Sequence, residues 1–218
     1  RSSAASDVYK RQDLPPGTWI RIVPGMPRTG SDPPGRGDYV SPFDRLLQVL
    51  DTNRPVVIQA HDFPDHDAVG AAFALAALLS EHNINPILSY GGAIQSASLA
   101  EEIRQLEIPI RAASEAGISE DAQTIVVDGF VGNSNIAGLP GQVVGVIDHH
   151  VPPVPPATPF HDIREDMGSC CTIVHSYFAD AGAQMSRPVA TALLTGLMMD
   201  TGFMSRGLTR YDVDAFSD

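Results

Sequence analysis

Lysine is almost missing from this sequence. Of 14 basic residues in 218, only Lys10 is a lysine; the others are arginines, and they face 26 acidic residues. The formal charge is −12 and the pI is near 4.8. So little positive charge excludes a broad basic surface, and contact with extended duplex DNA is not expected. Cysteine is equally scarce. Cys170 and Cys171 stand side by side, which is no disulfide framework and fits a reducing, cytoplasmic setting. No run of about 18 apolar residues is present, so no transmembrane helix is expected, and no secretory apolar region opens the chain. Internal repeats and coiled-coil heptads are also lacking. What is present is a 43% hydrophobic content, enough for a real core, over a length that suits one domain.

The one lysine belongs to a segment unlike the rest. Residues 1–12, RSSAASDVYKRQ, hold three basic groups and one acid, so the residues after them carry −14. This segment resembles translated adaptor sequence and is set aside. Residues 13–40 are rich in Pro and Gly and suit neither a helix nor a central strand. Residues 1–40 are therefore expected to be a non-native or disordered leader. The catalytic domain is expected over 41–218, with its C-terminal end truncated within YDVDAFSD.

Ser41 and Pro42 predict a helix start, and Phe43, Leu46, Leu47 and Leu50 give it an apolar stripe. Strands are expected at Val56–Ala60, Ile87–Tyr90, Thr124–Val127 and Val143–Ile147. Helices are expected from Ala68 to about Ser80, over Ala97–Leu106, Ser169–Ala181 and Arg187–Met199. Apolar strands alternating with helices imply an α/β fold, a parallel β-sheet with helices on both faces.

In open parallel sheets, ligands bind beyond the carboxyl ends of the strands. Three predicted strands end in Asp and His. Val56–Ala60 leads to His61, Asp65 and Asp67; Thr124–Val127 leads to Asp128; Val143–Ile147 leads to Asp148, His149 and His150. Such a set, with no thiolate assumed, favours hard or borderline cations. Several carboxylates in one cleft repel unless cations offset them. Two divalent ions about 3.5–4 Å apart activate water and clamp phosphoryl oxygens for in-line displacement. No persuasive Ser-His-Asp or Cys-His arrangement competes with this reading. A helix-capping role for His61 or Asp67 is compatible with it.

HDFPDHD at 61–67, Asp128 at a strand end in IVVDGF, Asp-His-His at 148–150, GSCCT at 168–172 and DTGF at 200–203 resemble, in order, the motifs of the DHH phosphoesterase family, on the RecJ/NrnA-like side. The resemblance spans roughly residues 55–210. It implies that His61, Asp65 and Asp128 bind one metal, that Asp67, Asp128, His149 and Asp200 bind the other, and that Asp128 bridges them. Asp148 then orients an imidazole of the pair, and His150 faces the substrate phosphate. His149, His150 and Asp148 are the implied catalytic group. Ser169, Thr172 and Arg206 join His150 as candidate substrate contacts. The implied cofactor is two divalent ions, manganese first, with magnesium or cobalt as alternatives. One departure concerns Gly70, which is followed by Ala71 where the family often has Ser. Cys170 and Cys171 are expected in the core, and His66, His82, His161 and His175 in structural or surface roles.

The resemblance implies hydrolysis of phosphate esters of small nucleotides or short oligonucleotides. Its first rival is a phosphoanhydride hydrolase, a family II pyrophosphatase or exopolyphosphatase. Its second is a catalytically silent nucleotide-binding regulatory module. A homodimer is compatible with each.

Overall fold

The computed structural model describes residues 40–218. Residues 1–39, which hold most of the expected leader, lie outside the described residues. The elements run α1 (Pro42–Val49), β1 (Val56–Ala60), α2 (His66–Glu81), β2 (Ile87–Tyr90), α3 (Ala97–Gln105), β3 (Ile110–Ala112), α4 (Ala113–Ala116), β4 (Gln123–Val127), β5 (Gln142–Asp148), β6 (Phe160–Ile163), α5 (Cys170–Ala181), α6 (Arg187–Asp200) and α7 (Arg210–Ser217). The six strands form one parallel sheet in the order β3-β2-β1-β4-β5-β6. The expected α/β class with a parallel sheet holds.

The order of connection reverses between β1 and β4. A crevice opens at such a point beyond the strand ends, because the two flanking connections leave in opposite directions. β1 and β4 are buried along their whole length. Ile58, Ile125, Val127 and Ile147 feed one core with residues of α1, α2, α5 and α6. α1 begins as its sequence dictates. Ser41 Oγ accepts from the Asp44 amide, and the Asp44 carboxylate accepts from Ser41, a reciprocal cap that satisfies donors at the helix start.

α2 packs closely on α6, and two glycines permit the approach. A Cβ on Gly70 would meet the Ala192 carbonyl oxygen at 2.6 Å, and one on Gly196 would meet Cys171 Sγ at 2.4 Å. The Cβ position of Gly70 thus faces tightly packed backbone, and Ala71 beside it is fully buried.

Four elements had no clear sequence signal: β3, α4, β6 and α7. β3 and β6 are the short outer strands of the sheet, and both are partly exposed. The segment from Arg210 forms helix α7. Thr209 and Asp212 form its capping box.

Candidate metal centre

The site grows from the carboxyl ends of β1, β4 and β5. His61 directly follows β1. The loop after it turns into α2 at Asp65, whose Oδ1 accepts from the amides of Asp67 and Ala68, both at 3.0 Å. The cap is therefore Asp65, and neither His61 nor Asp67 holds that role. This fixes one carboxylate at the crevice while leaving its side chain 56% exposed.

Asp67 points elsewhere. It is buried, and its two oxygens accept from the amides of Cys170 at 2.7 Å and Cys171 at 2.8 Å. Those amides open α5. Ser169 caps that helix through the Thr172 amide, which leaves the first two amides free for a carboxylate 103 residues earlier in the chain. The positive end of the helix favours the anion. The GSCCT segment thus orients Asp67.

Asp128 follows β4 in a left-handed backbone conformation, with φ +59°. Its amide donates to the Ile147 carbonyl at 2.9 Å, which ties it to β5. Its oxygens face opposite ways. Oδ2 lies 3.6 Å from His61 Nε2, and Oδ1 lies 3.6 Å from His149 Nε2. His61, Asp65 and Asp128 make one group of ligand atoms, Asp67, Asp128, His149 and Cys170 make another, and Asp128, Asp148 and His150 make a third. Asp128 belongs to all three. Asp200 is the last residue of α6 rather than a loop residue, and its Oδ2 stands 3.4 Å from His149 Nε2.

The two histidines after Asp148 are held by different acceptors. His149 Nδ1 lies 3.3 Å from the Met167 carbonyl, which can only accept, so Nδ1 carries a proton, and Nε2 faces Asp67, Asp128 and Asp200. His150 Nδ1 donates to Asp148 Oδ1 at 2.9 Å, and the His150 amide donates to the same oxygen. Asp148 is fully buried, whereas the His150 side chain is 61% exposed. The imidazole oriented by Asp148 is therefore that of His150.

The electrostatics follow from crowding. Burial pushes the Asp67 carboxyl up to about 6, against the pull of His149. Burial, then the charges of Asp67, Asp65, Asp148 and Asp200, push Asp128 well above the usual range. Burial also raises Asp200, with His149 opposing. His61 is lowered by burial, against the nearby carboxylates, which keeps its ring neutral. His150 is raised, first by its bond to Asp148. Burial and the surrounding carboxylates raise both thiols, so Cys170 and Cys171 are protonated. Among the described residues, only imidazoles come within ion-pair distance of Asp67, Asp128 and Asp200. Asp148 Oδ2 is buried with no hydrogen-bond partner. Imidazole nitrogens, uncompensated carboxylate oxygens and an orphaned oxygen fit divalent cations.

Ser169 and Thr172 are not at a substrate surface. Both are buried, and their hydroxyls bond each other at 3.1 Å. Thr172 Oγ1 donates to Asp212 at 2.6 Å, so these side chains are spent on anchoring α7 to the start of α5. Arg206 is exposed beyond the turn after α6, and its charge acts on Asp200. Three participants were not expected from sequence: the Met167 carbonyl, the Cys170 thiol and Asp212. The first is a backbone group without a residue signature. Cys170 is buried as expected, but its Sγ lies 3.6 Å from Asp128 Oδ1. Asp212 was legible only as the fourth residue of the Thr209 capping box.

Fold and site together define a parallel α/β protein with a carboxylate–imidazole metal centre at its switch point. The chain belongs to the DHH family: the family's N-terminal domain matches residues 55–197. It is 27% identical over 161 residues to an uncharacterized protein of Methanocaldococcus jannaschii, covering 74% of this chain and 33% of that one. It is 27% identical over 164 residues to an Enterococcus faecalis protein named as a manganese-dependent inorganic pyrophosphatase, covering 73% of this chain and 53% of that one. The chain thus spans between a third and about half of the curated relatives it matches. Among solved structures, a Methanococcus jannaschii protein described as a family II inorganic pyrophosphatase superposes with a TM-score of 0.58 at 21% identity, over 74% of this chain and 53% of that one. An exopolyphosphatase-related protein from Bacteroides fragilis gives 0.57 at 20% identity, over 81% and 55%. These two likenesses carry the fold.

Proposed function

We propose that residues 41–218 form the catalytic domain of a metal-dependent phosphohydrolase acting on a small phosphorylated substrate. The observation that carries this reading is Asp128, whose two oxygens face two separate sets of donors. His61, Asp65 and Asp128 would hold one divalent ion; Asp67, Asp128, His149 and Asp200 would hold the other. Manganese is favoured by the likeness to the Enterococcus protein named for it and is compatible with an O/N donor set. Two such ions, when bound, supply an acidified water and positive charge at the phosphoryl oxygens.

The chain's own residues do the rest. The Met167 carbonyl and the α5 amides fix His149 and Asp67 before any ligand arrives, so little reorganisation is needed. Asp148 fixes His150 through Nδ1 and leaves its other nitrogen for the open side of the crevice. With its pKa raised by Asp148, His150 is suited to hold a proton against a phosphoryl or leaving-group oxygen. Arg206 adds exposed positive charge at the rim.

At the level of substrate, phosphate esters of small nucleotides or short oligonucleotides are the first reading. The second is phosphoanhydride hydrolysis, which the names of the pyrophosphatase relatives favour. Activity of the protein with Mn²⁺ is to be measured on pyrophosphate, a nucleoside 3′,5′-bisphosphate, a cyclic dinucleotide and a dinucleotide. Turnover of a nucleotide ester is the expected result. Turnover of pyrophosphate alone replaces the first reading with the second. Two bound ions with no turnover of any of them indicate the silent binding module. Among the described residues, no helix is long and apolar enough to cross a membrane.

A further inference from the structure

Cys170 sits where α5 begins, with its amide on Asp67 and its side chain on Asp128. Its Sγ is 3.6 Å from Asp128 Oδ1 and 3.7 Å from the Ile147 carbonyl. The residue is fully buried, so water cannot take the place of either contact. Asp128 has few other restraints on its side chain. Its backbone is pinned to Ile147, but among the described residues its carboxylate has only imidazoles at 3.6 Å and this thiol within hydrogen-bond or ion-pair distance. A bridging role demands that each oxygen keep to its own side, because rotation about the side chain would spoil both ion sites together.

We propose that Cys170 is a positioning residue for the bridging carboxylate: its thiol donates to Asp128 Oδ1 and holds that oxygen on the His149 side, without itself becoming a metal ligand. Of the two acceptors in reach, the carboxylate is the stronger one for a weak S–H donor. The neighbouring thiol makes the contrast. Cys171 Sγ faces the Asp67 backbone carbonyl at 3.5 Å, where Gly70 and Gly196 leave space, and also reaches the Asp67 side chain. The two adjacent thiols thus meet different carboxylates, Cys170 at the bridging Asp128 and Cys171 at Asp67. The inference rests on the two-ion reading above.

The test compares Cys170→Ala, Cys170→Ser and Cys171→Ala in the full chain. Mn²⁺ affinity is measured by calorimetry, and folding by circular dichroism and thermal melting. Loss of an oriented partner of a metal ligand costs about 10–100-fold in affinity. Cys170→Ala is expected to weaken at least one Mn²⁺ site by about tenfold. Cys170→Ser, which restores a donor, is expected to recover most of that affinity, and Cys171→Ala serves as the background for spectroscopy. Equal losses in Ala and Ser, or none in Ala, overturn the proposal. A second measurement needs no change at position 170. In the Cys171→Ala background one S–H stretch remains for infrared spectroscopy. The band is expected to persist, shifted to lower frequency, in the Mn²⁺-loaded protein. Its disappearance on loading means that the thiolate coordinates, which overturns the donor role. Failure of the wild-type protein to bind two ions refutes the two-ion reading as well, whereas two ions with an unaffected Cys170→Ala refutes this proposal alone.

Discussion

Asp212 and Asp128 are both buried aspartates, yet they live in opposite surroundings. Asp212 accepts from the Gly168 amide, the Thr172 hydroxyl, and the amide and hydroxyl of Thr209. Asp128 receives a thiol, faces three imidazoles and stands among Asp67, Asp65, Asp148 and Asp200. Asp162 resembles Asp212: Arg164 grips both its oxygens and Tyr177 donates at 2.7 Å. The difference separates two uses of a buried charge. Where donors surround a carboxylate, its energy is settled inside the protein and it serves the fold. Where carboxylates surround it, its energy is settled only by a cation, and the fold bears the repulsion until one arrives.

The comparison breaks most sharply if the two residues respond alike to substitution. Asp128→Asn is expected to lower phosphohydrolase activity by at least about 10²-fold, the scale for losing one fixed electrostatic group. At a pH high enough to ionise Asp128, the same variant is expected to raise the melting temperature in chelator, because it removes a repelling charge. A lower melting temperature in chelator contradicts the account of the site. Asp212→Ala is expected to do the reverse, costing about 3 kcal/mol of stability with or without Mn²⁺, since several buried donors lose a charged partner together. Denaturant titrations in both conditions check this, and a loss confined to the Mn²⁺-loaded state would move Asp212 into the metal centre.

A pH series sharpens the contrast further. Asp67 is raised from its ordinary 3.8 to about 6. The folded, metal-free protein therefore holds a proton there that the unfolded chain has released. Stability in chelator should fall as pH rises from about 3.8 to about 6, and continue falling as Asp128 ionises above that. Each raised carboxyl contributes at most about 1.4 kcal/mol per pH unit within its window. Mn²⁺ should flatten the slope. Asp212→Ala should preserve it, and a metal-free profile that rises over this range would oppose the sign. The smallest effect belongs to Asp65, which serves both uses. Asp65→Ala is expected to cost about 1 kcal/mol in chelator for the lost cap, and to remove one Mn²⁺ from the calorimetric stoichiometry.

Much of this contrast was visible in the sequence because strand ends are visible. The apolar runs before His61, Asp128 and Asp148 announced three parallel strands, and their polar successors had to share an edge. The partners across the fold were not visible. Asp67 read as a metal ligand that could also cap a helix; the amides of Cys170 and Cys171 that hold it come from a distant segment, and Asp65 took the cap. Ser169 and Thr172 read as phosphate contacts because hydroxyls before a helix suit either role. Only the position of Asp212 decides that they face inward. β3 and β6 escaped notice because outer strands are buried in part and need no continuous apolar run. The place of Asp200 beside His149 was legible, but its helical setting was not, since the apolar run before it stops one residue short.

The left-handed backbone at Asp128 narrows which residues evolution or an engineer can place there. Asp and Asn adopt that conformation more readily than most side chains, because a short polar group can bond locally. Glutamate brings a carboxylate but lacks this tolerance, and Asn brings the tolerance but lacks the charge. Backbone and chemistry therefore vote for the same letter on separate grounds. A library randomised at this position and sorted first for folding, then for Mn²⁺ retention, should pass Asp, Asn and Gly at the first sieve and Asp alone at the second.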